Sequence, residues 1–158
     1  GKAISVFASM VVQVLILLAI GVAFFGLNMP TEPSKWMTFS WLLILGTASS
    51  TALGVAFSSV PKNGRGASAI VSPVVIILQF FSGVFFVFTQ LPGWMQQVAA
   101  IFPLKWLTQG MRSVFLPDTF AAQEVAKSWE GGRTAIILFV WLVVGLFFAV
   151  KTFRWENK

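Results

Sequence analysis

Long apolar runs alternate with short polar or basic segments along the whole chain. Four of these runs have the length of a membrane-crossing helix, covering roughly residues 4–26, 36–60, 67–88 and 133–151. A helix rises about 1.5 Å per residue, so a hydrocarbon core about 30 Å thick requires about 20 apolar residues. The pattern therefore predicts an all-α, multi-pass transmembrane protein with about four spans.

A shorter amphipathic pattern separates the third and fourth runs, over residues 91–116. It consists of two pieces of about a dozen residues each, which are too short to cross the hydrocarbon core. Pro92 and Pro103 fit helix starts, because a residue in the first turn needs no N–H donor. Backbone that enters a membrane without crossing it must be buried in protein or face water. We therefore predict a re-entrant pair of helices that caps the external end of a pathway.

Small and polar residues interrupt the apolar runs at helical spacing. Gly46, Ser50 and Gly54 recur every four residues and so share one helix face, which favours close packing against another helix. Polar side chains deep in a span either bond to a neighbouring helix or line a cavity. The candidates for lining a pathway are Gln13, Thr47, Thr51, Gln79 and Ser82.

The third run carries two residues that disturb a regular helix. Pro73 falls in its first turns and Gly83 near its middle. A proline removes one backbone hydrogen bond and clashes with the preceding turn, so it bends the helix. The bend is interpreted either as a packing kink or as a moving hinge.

Composition and charge set the topology. Hydrophobic residues make up 57% of the chain and charged residues 10%, against about 25% charged residues in soluble domains. The net charge of +6 does not indicate nucleic-acid binding, because the basic residues lie at the ends of apolar runs.

Lys62 and Arg65 lie in a short loop without acids, and such loops stay in the cytoplasm. An even number of spans then places both ends in the cytoplasm and the 117–132 segment outside.

The residue types present exclude most catalytic chemistry. The chain has no His, Cys or Tyr, which excludes thiol nucleophiles, imidazole bases and the usual zinc sites. Residues 61–68 lack the Gly-Lys-Ser/Thr ending of a phosphate-binding loop. For an intramembrane Ser–Lys hydrolase the one candidate lysine is Lys105, which the pattern places at an interface. We expect no catalytic residue, metal or cofactor in this chain.

Arg112 is the most informative charged residue. It lies seven positions after Lys105 and therefore on a similar face of the second short helix. A cation in a partly buried helix end costs energy unless it is paired or hydrated. It would clamp an external gate, attract anionic lipid head groups, or simply extend to the interface. An interfacial aromatic belt is predicted to include the tryptophans of this region, Trp94, Trp106 and Trp129.

A family resemblance enters at the same residues. Leu91-Pro92, followed about ten residues later by Pro103-Leu104 and then by Arg112, resembles the signature of ABC type-2 transporter permeases. The resemblance is to the branch of daunorubicin-resistance-like drug and lipid exporters, and the order of spans and basic segments fits it.

Two residues depart from that signature. Trp106 stands where His, Arg, Ser or Tyr is more usual, and Phe81 is bulkier than the residue usual in the upstream part.

The resemblance implies an assembly. Residues 1–158 would be the C-terminal portion of a membrane domain with two further spans before it. A separate ABC ATPase subunit would bind ATP and magnesium, and Lys62 and Arg65 are candidates for facing it. A second permease subunit, identical or different, would complete the pathway in a bacterial plasma membrane, among membrane lipid. The implied function is export of an amphipathic drug, a lipid or a lipid-linked substrate.

Two other functions stay open from the residues alone. The first is a membrane scaffold or assembly subunit without transport activity, which the absence of an ATPase partner would favour. The second is a secondary transporter driven by ions. Such transporters use ionisable residues inside their spans, and none of the predicted spans has one in its interior.

Overall fold

Residues 2–58 and 64–152 are described by a computed structural model. Within these residues all regular structure is helical, which confirms the all-α prediction. Two 3₁₀ segments, Phe88–Gln90 and Asp118–Gln123, connect the longer elements. The α-helices are α1 (Lys2–Phe25), α2 (Pro33–Phe57), α3 (Gly64–Phe81), α4 (Gly93–Ile101), α5 (Pro103–Phe115) and α6 (Gly131–Thr152).

Three of the described helices are long and apolar enough to cross a membrane. These are α1, α2 and α6, through their segments Ile4–Phe25, Pro33–Phe57 and Gly131–Lys151. Pro33 fits the start of α2 because it occupies the first turn, where no N–H donor is needed. The chain is therefore a multi-pass helical membrane protein, as the sequence predicts.

The third predicted span is shorter than expected. Helix α3 ends at Phe81, so the predicted continuation to residue 88 is wrong. Ser82 donates its backbone N–H to the carbonyl of Leu78 at 2.9 Å, and Gly83 follows with φ +78°. This left-handed conformation is typical of glycines that end helices. Gly83 thus terminates α3 instead of lying near the middle of a span. The 18 residues of α3 correspond to about 27 Å.

The core lies where α2, α5 and α6 meet. Its buried side chains are Phe39 and Leu42 of α2, Val114 of α5 and Leu138 of α6. Helices α2 and α6 approach closely at one small residue, because a Cβ on Gly145 would lie 2.9 Å from the Ala52 backbone. Helix α6 contributes Leu138 to the core, whereas most of its other large apolar side chains are exposed.

Helix α1 lies at the edge of this core. Val14 and Leu18 pack against the core cluster as partly buried residues. Most of the remaining apolar side chains of α1 are exposed, among them Phe24 and Phe25 at its end. The interlocked part of the described chain is therefore the three-helix block of α2, α5 and α6.

Helices α4 and α5 form a hairpin whose turn lies alongside the middle of α6. Trp141 donates its indole N–H to the carbonyl of Ile101 at 2.7 Å, and Trp141 is about 15 Å along α6 from Gly131. The other end of α5 lies near the start of α2, where Lys35 Nζ donates to the carbonyl of Leu116 at 3.1 Å. The turn of the hairpin thus lies beside the middle of α6 and its other end lies near the start of α2, whereas its entry into the membrane stays a prediction.

Candidate functional site: a groove between α2 and α5

An open groove of about 830 Å³ lies between α2 and α5. It extends from the level of Leu42 to that of Thr51, which is about 14 Å along the axis of α2. Most of its wall is hydrocarbon side chain. The apolar residues that line it include Val6, Leu42, Leu43, Leu107, Met111 and Phe115. We call this feature the α2–α5 groove.

Hydroxyl groups form the polar part of the groove. Thr47, Ser50 and Thr51 contribute from α2, and Thr108 contributes from α5. Thr47 and Thr51 are one helical turn apart, so their side chains succeed each other down the same wall. The Thr108 hydroxyl donates to the carbonyl of Ser82 at 2.9 Å, which ties α5 to the end of α3. The groove is therefore mainly apolar, with uncharged polar positions along α2.

Arg112 supplies the charge at one end of the groove. It is the only charged residue among the described residues that line this groove. Its Nε donates to Glu124 Oε1 at 2.8 Å, with the Arg112 side chain 26% exposed and that of Glu124 8% exposed. Its Nη1 lies near Gly83, at 3.5 Å from the position that a Cβ would occupy. The ion pair is therefore largely withdrawn from solvent.

A second cavity of about 330 Å³ lies on the other side of Arg112. It shares four lining residues with the groove, namely Gly83, Val84, Arg112 and Leu116. The others that line it include Phe85, Phe86, Val87, Phe88, Thr89, Phe120, Gln123, Glu124 and Trp129. We call it the outer cavity, because it borders the segment predicted to be external. Arg112 and Gly83 thus belong to the wall between two spaces.

Lys105, seven residues before Arg112 on α5, is a buried cation. Its side chain is 4% exposed, and its Nζ donates to Gln109 Oε1 at 2.5 Å. The Nζ also lies 3.6 Å from the centre of the Trp106 ring, a cation–π arrangement. Lys105 belongs to α5, outside the three candidate spans, and desolvation by burial lowers its pKa from 10.5. Lys105 is therefore buried within the protein, and its position at the membrane interface stays a prediction.

The neighbouring tryptophan is misplaced by the sequence interpretation. Trp106 is 4% exposed and donates its indole N–H to the carbonyl of Ala100 at 2.7 Å. It is a buried packing residue in this chain and not part of an aromatic belt. Trp94 is exposed, and Trp129 is partly buried with its indole N–H 3.3 Å from Asp118 Oδ1.

The segment between α5 and α6 is attached to the hairpin by polar contacts. Gln109 Nε2 donates to the carbonyl of Trp129 at 3.2 Å, and Arg112 holds Glu124 as described above. Lys35 of α2 adds an ion pair to Asp118 at 3.3 Å. This segment is therefore fixed to α5 and to the start of α2 at several points.

The sequence-predicted pathway residues do not all meet. Thr47 and Thr51 line the α2–α5 groove. Gln13 lines a separate shallow cavity with Ser5 and Ser9 on α1. Gln79 is partly buried on α3, outside the groove lining. Ser82 is buried, with its hydroxyl donating to the Leu78 carbonyl.

The three small residues predicted to share one packing face of α2 have different neighbours in the structure. Gly46 lies directly against the Leu107 side chain, where a Cβ would clash. Ser50 is exposed and lines the groove. A Cβ on Gly54 would meet nothing within 4 Å. Within the described chain, only Gly46 of these three permits a close helix contact.

The motif residues mark the ends of the hairpin helices. Pro92 precedes α4 as its N-cap residue, and Pro103 occupies the first turn of α5. The carbonyl of Leu91 accepts a hydrogen bond from Gln96 Nε2 at 2.8 Å, and Leu104 is partly buried. For the predicted ATPase-facing pair, Lys62 and the side chain of Arg65 lie outside the described residues.

Sequence reasoning missed several residues of this region. Gln109 could have been found from its position four residues after Lys105, which places both side chains on one helix face. The pairing of Glu124 with Arg112 could not be predicted from helical spacing, because an irregular segment separates the two residues in the chain. Among the described residues, no group of three or more His, Cys, Asp or Glu side chains could hold a metal ion.

Comparison with known proteins gives one match. A family model described as ABC-2 family transporter protein matches residues 1–151. No curated protein and no solved structure matches the chain.

Proposed function

The chain belongs to the ABC-2 family of transporter proteins, and on this premise we propose that it is the permease subunit of an ATP-driven exporter. The proposal places it in the daunorubicin-resistance-like branch, with an amphipathic drug, a lipid or a lipid-linked molecule as substrate. The observation that carries the proposal is the α2–α5 groove. Its wall combines hydrocarbon side chains with a line of hydroxyls and ends at Arg112, which suits a molecule with an apolar body and a polar end.

The energy source lies on another subunit in this proposal. Association with an ABC ATPase subunit is a general property of the family. That subunit binds and hydrolyses ATP with magnesium, and this chain contributes no cofactor site. The proposed contact consists of Lys62, which precedes α3 in the sequence, and Arg65, which lies in the first turn of α3. Their cytoplasmic position is proposed because this short stretch of sequence carries two basic residues and no acid.

The proposed route leads from the groove to the outer cavity. Substrate enters the α2–α5 groove laterally from the membrane and leaves past the wall formed by Gly83 and Arg112. The shared lining of the two spaces supports this route. The α4–α5 hairpin, with its motif residues at the helix ends, caps the external side. A second permease subunit, identical or different, closes the open side of the groove.

The orientation is part of the same proposal. Both ends of the chain lie in the cytoplasm of a bacterial cell and the segment between α5 and α6 lies outside. This requires α3 to cross the membrane in addition to α1, α2 and α6. The apolar run of residues 67–88, which continues beyond the end of α3, supports the crossing.

The first test is reconstitution of the full-length protein with its ATPase in lipid nanodiscs. We expect a stable complex that hydrolyses ATP, and we expect the double variant Lys62→Glu, Arg65→Glu to lower that activity severalfold. Lys127→Glu is the matched control, because Lys127 is an exposed cation of the segment between α5 and α6. A protein that binds no ATPase subunit would overturn the proposal and favour a scaffold.

A further inference from the structure

We propose that the α2–α5 groove is a binding site for an anionic phospholipid, whose phosphate pairs with the Arg112 guanidinium. The inference deepens the proposed function and rests on it, because it names the class of substrate that the exporter accepts. The inference excludes cationic amphiphiles as substrates, whereas the proposed function alone would include them.

The first argument is the charge of the groove. Among the described residues that line it, Arg112 alone carries a formal charge, and that charge is positive. The rest of the wall is hydrocarbon and hydroxyl. A cation in apolar surroundings repels a second cation strongly, because the local dielectric constant is low. An anionic head group is therefore the favoured partner at this end of the groove.

The second argument is the hydrogen-bonding capacity of Arg112. A guanidinium has five N–H donors, and arginine binds phosphate through two parallel bonds. The structure uses one of these donors, Nε, for Glu124. Among the described residues, no hydrogen-bond acceptor contacts Nη1 or Nη2, and Nη1 lies near Gly83 in the shared wall. Two nitrogens are thus free for a phosphate.

The third argument is the position of Glu124. This carboxylate lines the outer cavity and is absent from the described lining of the groove. A head group that enters from the groove therefore meets the guanidinium first and the carboxylate behind it. Glu124 holds Arg112 in place through Nε and competes for its charge without blocking the site.

The fourth argument is shape. The groove extends about 14 Å along α2, which is long enough for most of an extended acyl chain. Thr47 and Thr51 lie towards the end remote from Arg112. An acyl chain along Leu43, Leu107 and Met111 would place its head group at the guanidinium, near the predicted external surface.

The test is lipid binding by the full chain without ATPase, so that failure of the inference is separate from failure of the proposed function. Purified protein in neutral detergent is titrated with phosphatidylglycerol or phosphatidylcholine carrying the same acyl chains, and bound lipid is measured by native mass spectrometry. We expect phosphatidylglycerol to bind about tenfold more tightly, because both lipids carry a phosphate but only phosphatidylcholine adds a choline cation, which the Arg112 guanidinium repels in apolar surroundings.

Variants of the two paired residues should act in opposite directions. Arg112→Gln should remove the preference for phosphatidylglycerol, whereas Glu124→Gln should increase it by removing the competing acid. A purely structural ion pair would lose lipid binding equally in both variants. Arg133→Gln is the matched control, because Arg133 is also paired with an acid but is exposed and does not line the groove.

Two results would overturn the inference. One is an unchanged preference for phosphatidylglycerol in Arg112→Gln protein that is folded at the temperature of the measurement. The other is full competition by free glycerol 3-phosphate at the same concentration, which would make the site an anion site without need of the acyl chain. Absence of competition by this soluble anion supports a lipid site.

Discussion

Leu42 of α2 lies directly over Gly110 of α5, where a Cβ on the glycine would stand 2.6 Å from Leu42 Cδ2. One helical turn away the relationship is reversed, since Gly46 of α2 receives Leu107 of α5. Each helix therefore inserts a leucine over a glycine of the other. In lipid, where apolar burial gives no net drive for association, such close packing is a main source of helix cohesion.

Gly110→Ala should destabilise the protein through this contact. The added methyl overlaps a leucine that is fully buried and cannot move freely, so we expect a loss of about 1–3 kcal/mol. Gly145→Ala should cost at least as much, because its neighbour at 2.9 Å is the Ala52 backbone. The measurement is the unfolding temperature in detergent, followed by tryptophan fluorescence.

Gly54→Ala is the control for both variants. Its new methyl meets nothing within 4 Å, and alanine is favoured over glycine in a helix by about 1 kcal/mol. We expect an unchanged or raised unfolding temperature. Equal behaviour of Gly54→Ala and Gly110→Ala would contradict the interlocked packing of α2 and α5.

The Arg112–Glu124 pair should hold the segment between α5 and α6 in place. Removing one partner leaves the other largely buried without its counter-charge, which costs about 3–5 kcal/mol for a buried pair. We expect Arg112→Gln to increase hydrogen exchange over residues 117–130. In a double-mutant cycle with Glu124→Gln, the coupling energy should be about 1–3 kcal/mol.

The pair Arg133–Glu130 provides the comparison. Arg133 is 65% exposed, and exposed ion pairs contribute about 0–1 kcal/mol. The same cycle with Arg133→Gln and Glu130→Gln should give a coupling near zero. A coupling as large as that of Arg112 and Glu124 would show that burial does not distinguish the two pairs.

Single cysteines should report the depth of the hairpin. The chain has no cysteine, so each introduced thiol is unique. Ile101→Cys at the exposed turn between α4 and α5 should resist a membrane-impermeant maleimide in intact cells, because this turn lies beside the middle of α6. Gln123→Cys, on the segment that we propose to be external, should react. Rapid labelling of both positions would contradict a re-entrant hairpin.

Burial of Lys105 should appear in the dependence of stability on pH. The pKa of Lys105 is lowered from 10.5, so the folded protein releases this proton at a lower pH than the unfolded chain. Between the lowered pKa and 10.5 the unfolded state binds more protons, and stability therefore rises with pH. Unfolding temperatures measured over this interval should rise less in Lys105→Met than in the parent protein. Identical pH profiles would contradict the desolvated environment.

Filling the groove should block transport without unfolding the protein. Ser50→Trp places a large side chain into the α2–α5 groove from an exposed position. We expect at least a tenfold loss of substrate efflux in reconstituted vesicles with an unchanged unfolding temperature. Gly54→Trp is the matched control, since Gly54 lies one turn further on α2, outside the groove lining. Equal loss in both variants would exclude the groove as the route.

Hydrophobic pattern predicted the long helices to within a few residues. The expected runs 4–26 and 133–151 correspond to α1 at Lys2–Phe25 and α6 at Gly131–Thr152, because apolar length alone decides such helices. The end of α3 could not be placed this way. Its sequence stays apolar beyond Phe81, and the helix stops because Gly83 adopts a positive φ, which hydropathy does not record.

Part of the candidate site was also predictable, because it depends on regular helix geometry. Helical spacing places Thr47 and Thr51 on one wall, since the period of a helix is fixed. The same spacing could not distinguish Gly46 from Gly54, because that depends on which helix packs against α2 at each level. The pairing of Arg112 with Glu124 and the burial of Lys105 depend on irregular backbone after α5, where no sequence period exists.

The hydrogen bond from Trp141 to Ile101 also bears on the order of events during synthesis. The two residues are 40 positions apart, so the hairpin turn emerges from the ribosome well before its donor. Until α6 is inserted, the Ile101 carbonyl has no indole partner, and an unpaired carbonyl in hydrocarbon costs several kcal/mol. The hairpin is therefore expected to wait at the membrane surface and to sink to its final depth only after the last span arrives.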